Sequence, residues 1–158
     1  MENYQKLLGD LLQQEEALQF ARFTNEMALD LGLRLIEAAK RDGKAITASI
    51  SRNGQVLFHC AMTGTSPDNA ESIRRKSNVV NRYGHSSFYV GTEYKSRSAA
   101  FDDLASIEHK DFAAYGGAFP LIVRQVGTVG VIAVSGLPQA EDHALVVAEL
   151  KAYLASMD

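Results

Sequence analysis

A basic, amide-rich segment interrupts an otherwise acidic chain between residues 72 and 97. It holds six Lys or Arg residues against one acid, Glu93, and is therefore formally +5. The whole chain of 158 residues has a net charge of −3, so the remaining residues together carry −8. Such asymmetry indicates a local site for an anion or a partner and does not bear on the fold.

Donor groups in this segment repeat at helical spacing. If residues 69–83 form a helix, Arg75, Asn78 and Arg82 lie on one face, at steps of three and four. Guanidinium and amide groups on one face suit carboxylates or phosphates, and His85 follows at the mouth of the same groove. We predict an anion-binding strip here. The alternative is a solvated helix face or an ion-paired subunit contact. Three residues on the other side are available for the core: Val79, Val80 and Tyr83.

A glycine pair, Gly116–Gly117, directly precedes a strand that contains Pro120. Adjacent glycines adopt backbone shapes closed to other residues and let a ligand or helix approach closely. The alternative is a tight turn before an edge strand, which Pro120 itself favours because it lacks an amide donor. Both interpretations are compatible with the spacing.

Histidine spacing does not indicate a dedicated metal site. His59 and Cys60 are neighbours on a predicted strand and point to opposite faces, and the sequence contains no CxxC or HExxH motif. A site assembled from His85 with Glu141 or His143 stays open. His85 and His143 are also candidate acid–base groups, because imidazole titrates near neutral pH.

Composition narrows the class of protein. Cys60 is the only cysteine, so no internal disulfide can form, which favours a reducing cytoplasm. The N-terminus lacks the basic and apolar regions of a signal peptide, and no window approaches 18 uninterrupted apolar residues. A pI near 5.8 argues against a protein that coats nucleic acid. We therefore expect a cytoplasmic protein with no membrane or nucleic-acid partner.

Two hairpins are predicted from the strand-like segments. Alternating apolar residues flank Asn53-Gly54, a pair that readily supplies the positive φ angles of a type I′ turn. Two further strands are predicted to join at Gly127. Cys60 alternates with apolar neighbours and is expected to be buried.

Five helices are predicted around these hairpins. An amphipathic helix begins near residue 7. A second is capped by Thr24 and ends near Gly43, and a third begins at Ser66-Pro67 and stops at Gly84. A shorter helix is expected over residues 86–96, with an extended segment as the alternative, and a last helix opens at Leu137-Pro138. The chain is thus predicted to be one α+β domain, residues 1–158, with an antiparallel sheet of about five strands flanked by helices.

Three stretches carry a family resemblance: "FTNEMALDLG", "IRRKSNVVNRYGHSSFYVG" and "YGGAFPLIVRQVGTVGVIAVSGLPQAEDHALVVAEL". They resemble an uncharacterised cytoplasmic family of bacterial and fungal proteins. That family is grouped with the haem-degrading-type proteins related to GlcG, to HbpS and to the C-terminal domain of PduO. The resemblance covers nearly the whole chain, from about Tyr4 to Tyr153.

The resemblance implies a profilin-like three-layer domain, usually assembled as a homo-oligomer. It also implies a ligand groove near Gly116–Gly117 and the helix bearing the basic strip, and it alone makes haem a candidate cofactor. Where related domains often read Gly-Gly-Gly-Ile-Pro, this chain reads Gly-Gly-Ala-Phe-Pro, so that Phe119 would narrow a pocket over that loop.

The leading hypothesis is a domain that binds a small anionic ligand, such as a carboxylate, a phosphate or a porphyrin propionate. The predicted ligand-binding residues are Arg75, Asn78, Arg82, His85, Gly116, Gly117 and Phe119. The alternatives are an enzyme of unknown reaction, with His85 or His143 as acid–base group, and an oligomeric scaffold that docks proteins on its basic helix.

Overall fold

The chain reverses at Asn53 and Gly54 in the computed structural model, which describes residues 3–103 and 107–157. Their φ angles are 51° and 82°, the positive values that a type I′ turn requires. The turn joins strand β1 (Thr47–Arg52) to strand β2 (Gln55–Ala61), and the two pair antiparallel. The predicted hairpin is confirmed.

A second hairpin completes the sheet. It consists of strands β3 (Ala118–Val123) and β4 (Gly127–Ser135), and the strand order is β2-β1-β4-β3 with every pair antiparallel. Pro120 therefore lies on an edge strand, as predicted, where its missing N–H is tolerated.

The described residues form four strands, one fewer than the approximate number predicted. A single residue, Phe20, stands in the place of a fifth strand. Its N–H donates to the Ile122 carbonyl at 2.9 Å, and its carbonyl accepts from the Arg124 N–H at 2.8 Å. Phe20 thus covers part of the outer edge of β3 without extending into a strand.

Among the described residues, five α-helices surround the sheet, and several of their ends follow the predicted signals. Thr24 Oγ1 accepts from the Met27 N–H at 3.2 Å at the start of the second helix. Gly84, with φ of 73°, ends the third in a left-handed conformation. The helices are α1 (Tyr4–Ala17), α2 (Asn25–Arg41), α3 (Pro67–Tyr83), α4 (Ser87–Ser96) and α5 (Gln139–Ser156). None of the helices in the described ranges is both long and apolar enough to cross a membrane.

Alternation along β4 separates the two faces of the sheet. Ile132 and Val134 pack with residues of α2 and α5, whereas Val131 and Ala133 pack against Ile73 of α3. α4 lies beyond α3, where Val79, Val90, Phe101 and Ile107 form a further apolar cluster. This arrangement confirms an α+β fold of three layers.

Cys60 departs from the expected burial. It is only half-buried, because β2 is an edge strand and, among the described residues, has no neighbouring strand beyond it.

Candidate functional site

The predicted anion-binding strip on α3 holds another part of the same chain. Arg75 Nε and Nη2 donate to the His109 carbonyl at 3.1 and 2.7 Å, and Asn78 Nδ2 donates to the Asp111 carbonyl at 2.8 Å. The Arg75 carbonyl accepts from the Ala113 N–H at 3.2 Å. These donors therefore fasten residues 109–113 against α3.

The other arginines of α3 differ in their partners. Arg74 pairs with Glu71 at 2.6 Å and with Asp111 at 3.1 Å. The guanidinium carbon of Arg82 lies 5.6 Å from the centroid of the Phe112 ring, within cation–π range. It also lies 5.9 Å from the centroid of the Tyr83 ring, and no carboxylate of the described side chains lies within ion-pair distance of it.

The glycine pair lies inside the molecule. The Gly116 N–H donates to Gln139 Oε1 at 2.8 Å, and a Cβ at Gly116 would overlap the Gln139 carbonyl oxygen. Gly117 has φ of 133°, and a Cβ there would overlap Lys76 Nζ and the Val134 carbonyl oxygen. The pair thus allows α5 and a side chain of α3 to approach closely.

Within the described ranges, the predicted ligand residues do not gather on one open groove. Arg75, Asn78 and Arg82 face residues 109–113, whereas Gly116, Gly117 and Phe119 are buried. Their role in binding stays a prediction.

Lys76 is a buried charged residue that the sequence analysis missed. Its side chain is 2% exposed, and its Nζ donates to the Val134 carbonyl at 2.7 Å, the Gly116 carbonyl at 3.1 Å and Asp142 Oδ2 at 3.4 Å. Burial lowers the pKa of Lys76 and raises that of Asp142 to about 6. A signal was present in the sequence, since Lys76 lies three residues after Ile73 and three before Val79, on the buried stripe of α3.

His143 is also closed off from solvent. It is 4% exposed, and its Nε2 lies 2.8 Å from Gln14 Oε1. Its Nδ1 is buried with no hydrogen-bond partner in the described structure. Burial lowers the pKa of His143 to about 4, so the ring is neutral at pH 7 and poorly placed to exchange protons with a ligand.

His85 is held quite differently, by the buried carboxylate of Glu15. Its Nδ1 lies 2.7 Å from Glu15 Oε1, while Glu15 Oε2 accepts from the Ser86 N–H at 3.1 Å. The side chains of His85 and Glu15 are 39% and 9% exposed. The carboxylate favours the tautomer with the proton on Nδ1, which leaves the Nε2 lone pair free to accept a proton or bind a metal.

The sequence analysis also missed Glu15, although its position on α1 indicated that it is buried. It lies four residues after Leu11 and seven after Leu8, so it occupies the buried face of that helix.

Among the residues that the structure describes, no three His, Cys, Asp or Glu side chains are grouped to hold a metal ion.

Solved structures of similar fold cover most of the chain. The Ybr137w protein superposes with a TM-score of 0.87 at 31% identity, over 96% of this chain and 90% of that one. HbpS gives a TM-score of 0.65 at 20% identity, over 86% and 92% of the two chains. A PduOC–haem complex gives 0.67 at 17% identity, over 84% and 94%. At these two lower identities the similarity shows the fold alone.

Two relatives found by sequence comparison share a higher sequence identity with this chain than these three structures do. A UPF0303 protein of Streptomyces coelicolor is 43% identical over 147 residues, which are 93% of each chain. A UPF0303 protein of Edwardsiella ictaluri is 45% identical over 142 residues, which are 90% of each. The family model described as "Haem degrading protein HbpS-like" matches residues 23–151. This chain belongs to that HbpS-like family.

Proposed function

We propose that this protein binds a small anionic cofactor, with haem as the candidate, at the surface where α1 meets α4. The observation that carries the proposal is the pair Glu15–His85, in which a buried carboxylate orients a half-exposed imidazole. The description of the family and the haem complex of a protein with this fold support haem as the candidate.

The residues present fit an iron porphyrin better than a bare cation. A free transition-metal ion is usually held by three or four protein ligands, and the described side chains offer no such group. Haem brings four nitrogen ligands of its own, so one imidazole from the protein suffices to hold its iron. His85 Nε2 would supply that ligand, and the hydrogen bond between Nδ1 and Glu15 would hold the ring in the required tautomer and orientation.

The propionate groups of haem require a cation, and Arg82 is the one we assign to them. It lies three residues before His85 and has no acid partner in the described part of the chain. Arg75 and Asn78 contribute indirectly, because their donors hold residues 109–113, which include the Phe112 ring that contacts Arg82. Gly116, Gly117 and Phe119 are buried, so we assign them no direct contact with the propionates.

A haemin titration followed by Soret absorbance tests the proposal. Wild-type protein is expected to shift the Soret band with a defined stoichiometry, whereas His85→Ala loses the shift. His59→Ala is the matched control, because His59 is an exposed histidine on β2. If the wild-type titration is identical to a titration without protein, haem binding is overturned. If His85→Ala shifts the Soret band as the wild type does, another residue binds the iron.

The enzyme alternative depends on the same imidazole. A carboxylate-held histidine also suits a general base, and the family description names haem degradation. Loss of Soret absorbance over time in the wild type, but not in His85→Ala, would favour an enzyme over a binding protein.

We further propose that residues 1–158 form one domain that acts in the cytoplasm as a homo-oligomer. In the part of the chain that the structure describes, no strand covers the edge strand β2, and its Val56 is 61% exposed, which is a liability in a monomer. A single monomeric mass by light scattering at micromolar concentration would count against the oligomer.

A further inference from the structure

An open cavity lies beside the C-terminal half of α4, whereas His85 lies just before the N-terminus of that helix. Its volume is about 440 Å³, within the range of sites for small organic ligands. It is bounded by α4, by the start of α1, by the segment that follows the C-terminus of α4 and by the segment that precedes the glycine pair. The lining residues include Gly91, Lys95, Ala100, Phe101, Ala114 and Tyr115.

Aromatic rings and very small residues alternate around this cavity. Phe101 is 8% exposed and packs edge-on against Tyr94, with ring centroids 5.4 Å apart. Tyr115, in contrast, is 51% exposed and stands at the rim. Alanines and Gly91 make up most of the remaining wall, so the space between the rings suits a flat apolar body.

Two backbone features shape the wall of the cavity. A Cβ at Gly91 would overlap the Ala114 carbonyl oxygen, so a glycine is needed where α4 meets the segment before the glycine pair. Ser98 adopts φ of 54°, an unfavourable conformation for a residue with a side chain. The turn at Ser98 brings Ala99 back toward α4, where its N–H donates to the Tyr94 carbonyl at 3.0 Å.

Among its described lining residues, the cavity has one cation. Lys95 is exposed and lines it, and among the described side chains no acid lies within ion-pair distance of its Nζ. The nearest arginine in sequence, Arg97, is paired with Glu93 at 3.4 Å. One unpaired ammonium beside an apolar space matches a single carboxylate, whereas a phosphate dianion would call for an Arg fork or several cations.

We propose that this cavity is a second ligand site, for a flat apolar monocarboxylate, separate from the site at His85. The aromatic body packs between Phe101 and Tyr115 over the alanines, and the carboxylate accepts from Lys95 Nζ. The proposal does not depend on haem binding, because neither His85 nor Arg82 lines the cavity.

The test uses 2-naphthoate and its uncharged counterpart 2-naphthalenemethanol, with the full-length protein and amide chemical shifts as the readout. Naphthoate is expected to shift the Gly91 and Tyr115 amides saturably. Ala100→Phe fills the cavity from its exposed side and should abolish those shifts for both compounds. Retention of the shifts in Ala100→Phe, or no saturable shift in the wild type, would overturn the site.

Charge selection is tested by Lys95→Gln. This variant should bind naphthoate about three- to fivefold more weakly, as expected for an exposed ion pair, and bind the alcohol as the wild type does. Lys151→Gln, which changes an exposed lysine of α5 outside the cavity, is the matched control. Equal weakening of the binding of both compounds by Lys95→Gln would overturn the assignment of a carboxylate.

Naphthoate binding is expected to be unchanged in His85→Ala. The naphthoate and haemin titrations therefore test the two sites independently of each other.

Discussion

Lys76 and Asp142 form an ion pair in the interior, with side chains 2% and 5% exposed and 3.4 Å between Nζ and Oδ2. The pair joins α3 to the first turn of α5, and the same ammonium holds the carbonyls of Gly116 and Val134. Asp142 Oδ1 in turn accepts from the Leu137 N–H at 3.0 Å. One lysine thus connects a helix on each face of the sheet with the glycine pair and the end of β4.

Lys76→Met is expected to destabilise the protein by about 3–5 kcal/mol, because it leaves a buried carboxylate and two buried carbonyls without their donor. The free energy of unfolding in urea measures this loss. Lys151→Met, at an exposed lysine of α5, should change it by no more than about 0.5 kcal/mol.

A double variant separates the buried charge from lost packing. Lys76→Met with Asp142→Asn removes both charges, while the Asn Oδ1 can still accept from Leu137. It should therefore be more stable than Lys76→Met alone. If Lys76→Met costs no more than the Lys151 control, the buried pair contributes nothing to folding.

Gly117→Ala tests the close approach of Lys76 to the glycine pair. Both Gly117 and Gly127 have positive φ, 133° and 114°, so an alanine at either position carries a similar backbone penalty of about 1 kcal/mol. Only at Gly117 would the new Cβ overlap Lys76 and Val134, since nothing lies within 4 Å of a Cβ at Gly127. Thermal unfolding should show a clearly larger loss for Gly117→Ala, and equal losses would contradict the overlap.

Local signals made the fold predictable. The Asn53-Gly54 turn, the Thr24 cap and the Gly84 stop each act within a few residues, and the structure confirms all three. The number of strands could not be predicted from local patterns in the same way. Phe20 pairs with β3, about a hundred positions further along the chain, and no pattern near Phe20 indicates this pairing.

The candidate site was harder to predict, for a related reason. Arg75 and Lys76 are adjacent and chemically alike, but a helix turns each residue by about 100°. One side chain therefore lies at the surface and the other in the core. The apolar positions around Lys76 indicated its burial, but no spacing could name its partner Asp142, 66 residues away. Glu15 and His85 are likewise 70 residues apart and meet only through the packing of α1 on α4.

Two buried groups of α5, His143 and Asp142, should change the free energy of unfolding in opposite directions as pH falls. The pKa of His143 is lowered from 6.5 to about 4, so below pH 6.5 the unfolded chain takes up a proton that the folded one does not, and stability decreases. The pKa of Asp142 is raised from 3.8 to about 6, so there the folded chain takes up the proton first and stability increases. Each effect is on the order of 3 kcal/mol, and they largely cancel between pH 6 and 4.

His143→Gln removes one of these two effects. Its stability relative to the wild type should rise as pH falls from 6.5 to 4, because only the protonation of Asp142 then remains. Urea unfolding across this range measures the difference, with the exposed His59→Gln as control. Parallel curves for His143→Gln and the wild type would show that His143 is not held neutral by burial.

Arg75 should govern the mobility of residues 109–113 with little effect on global stability. Its two hydrogen bonds to the His109 carbonyl are made at the surface, where each contributes little to folding, and they fasten a short segment without holding the core. Arg75→Ala is expected to accelerate amide hydrogen exchange in this segment by about three- to tenfold while changing the free energy of unfolding by less than about 1 kcal/mol. Arg41→Ala, which removes only a long ion pair of 3.9 Å to Glu149, should leave exchange in the segment unchanged. Unaltered exchange in Arg75→Ala would show that Asn78 and the backbone hold the segment without it, and would leave the Arg75 donors free for an anion, as the sequence first indicated.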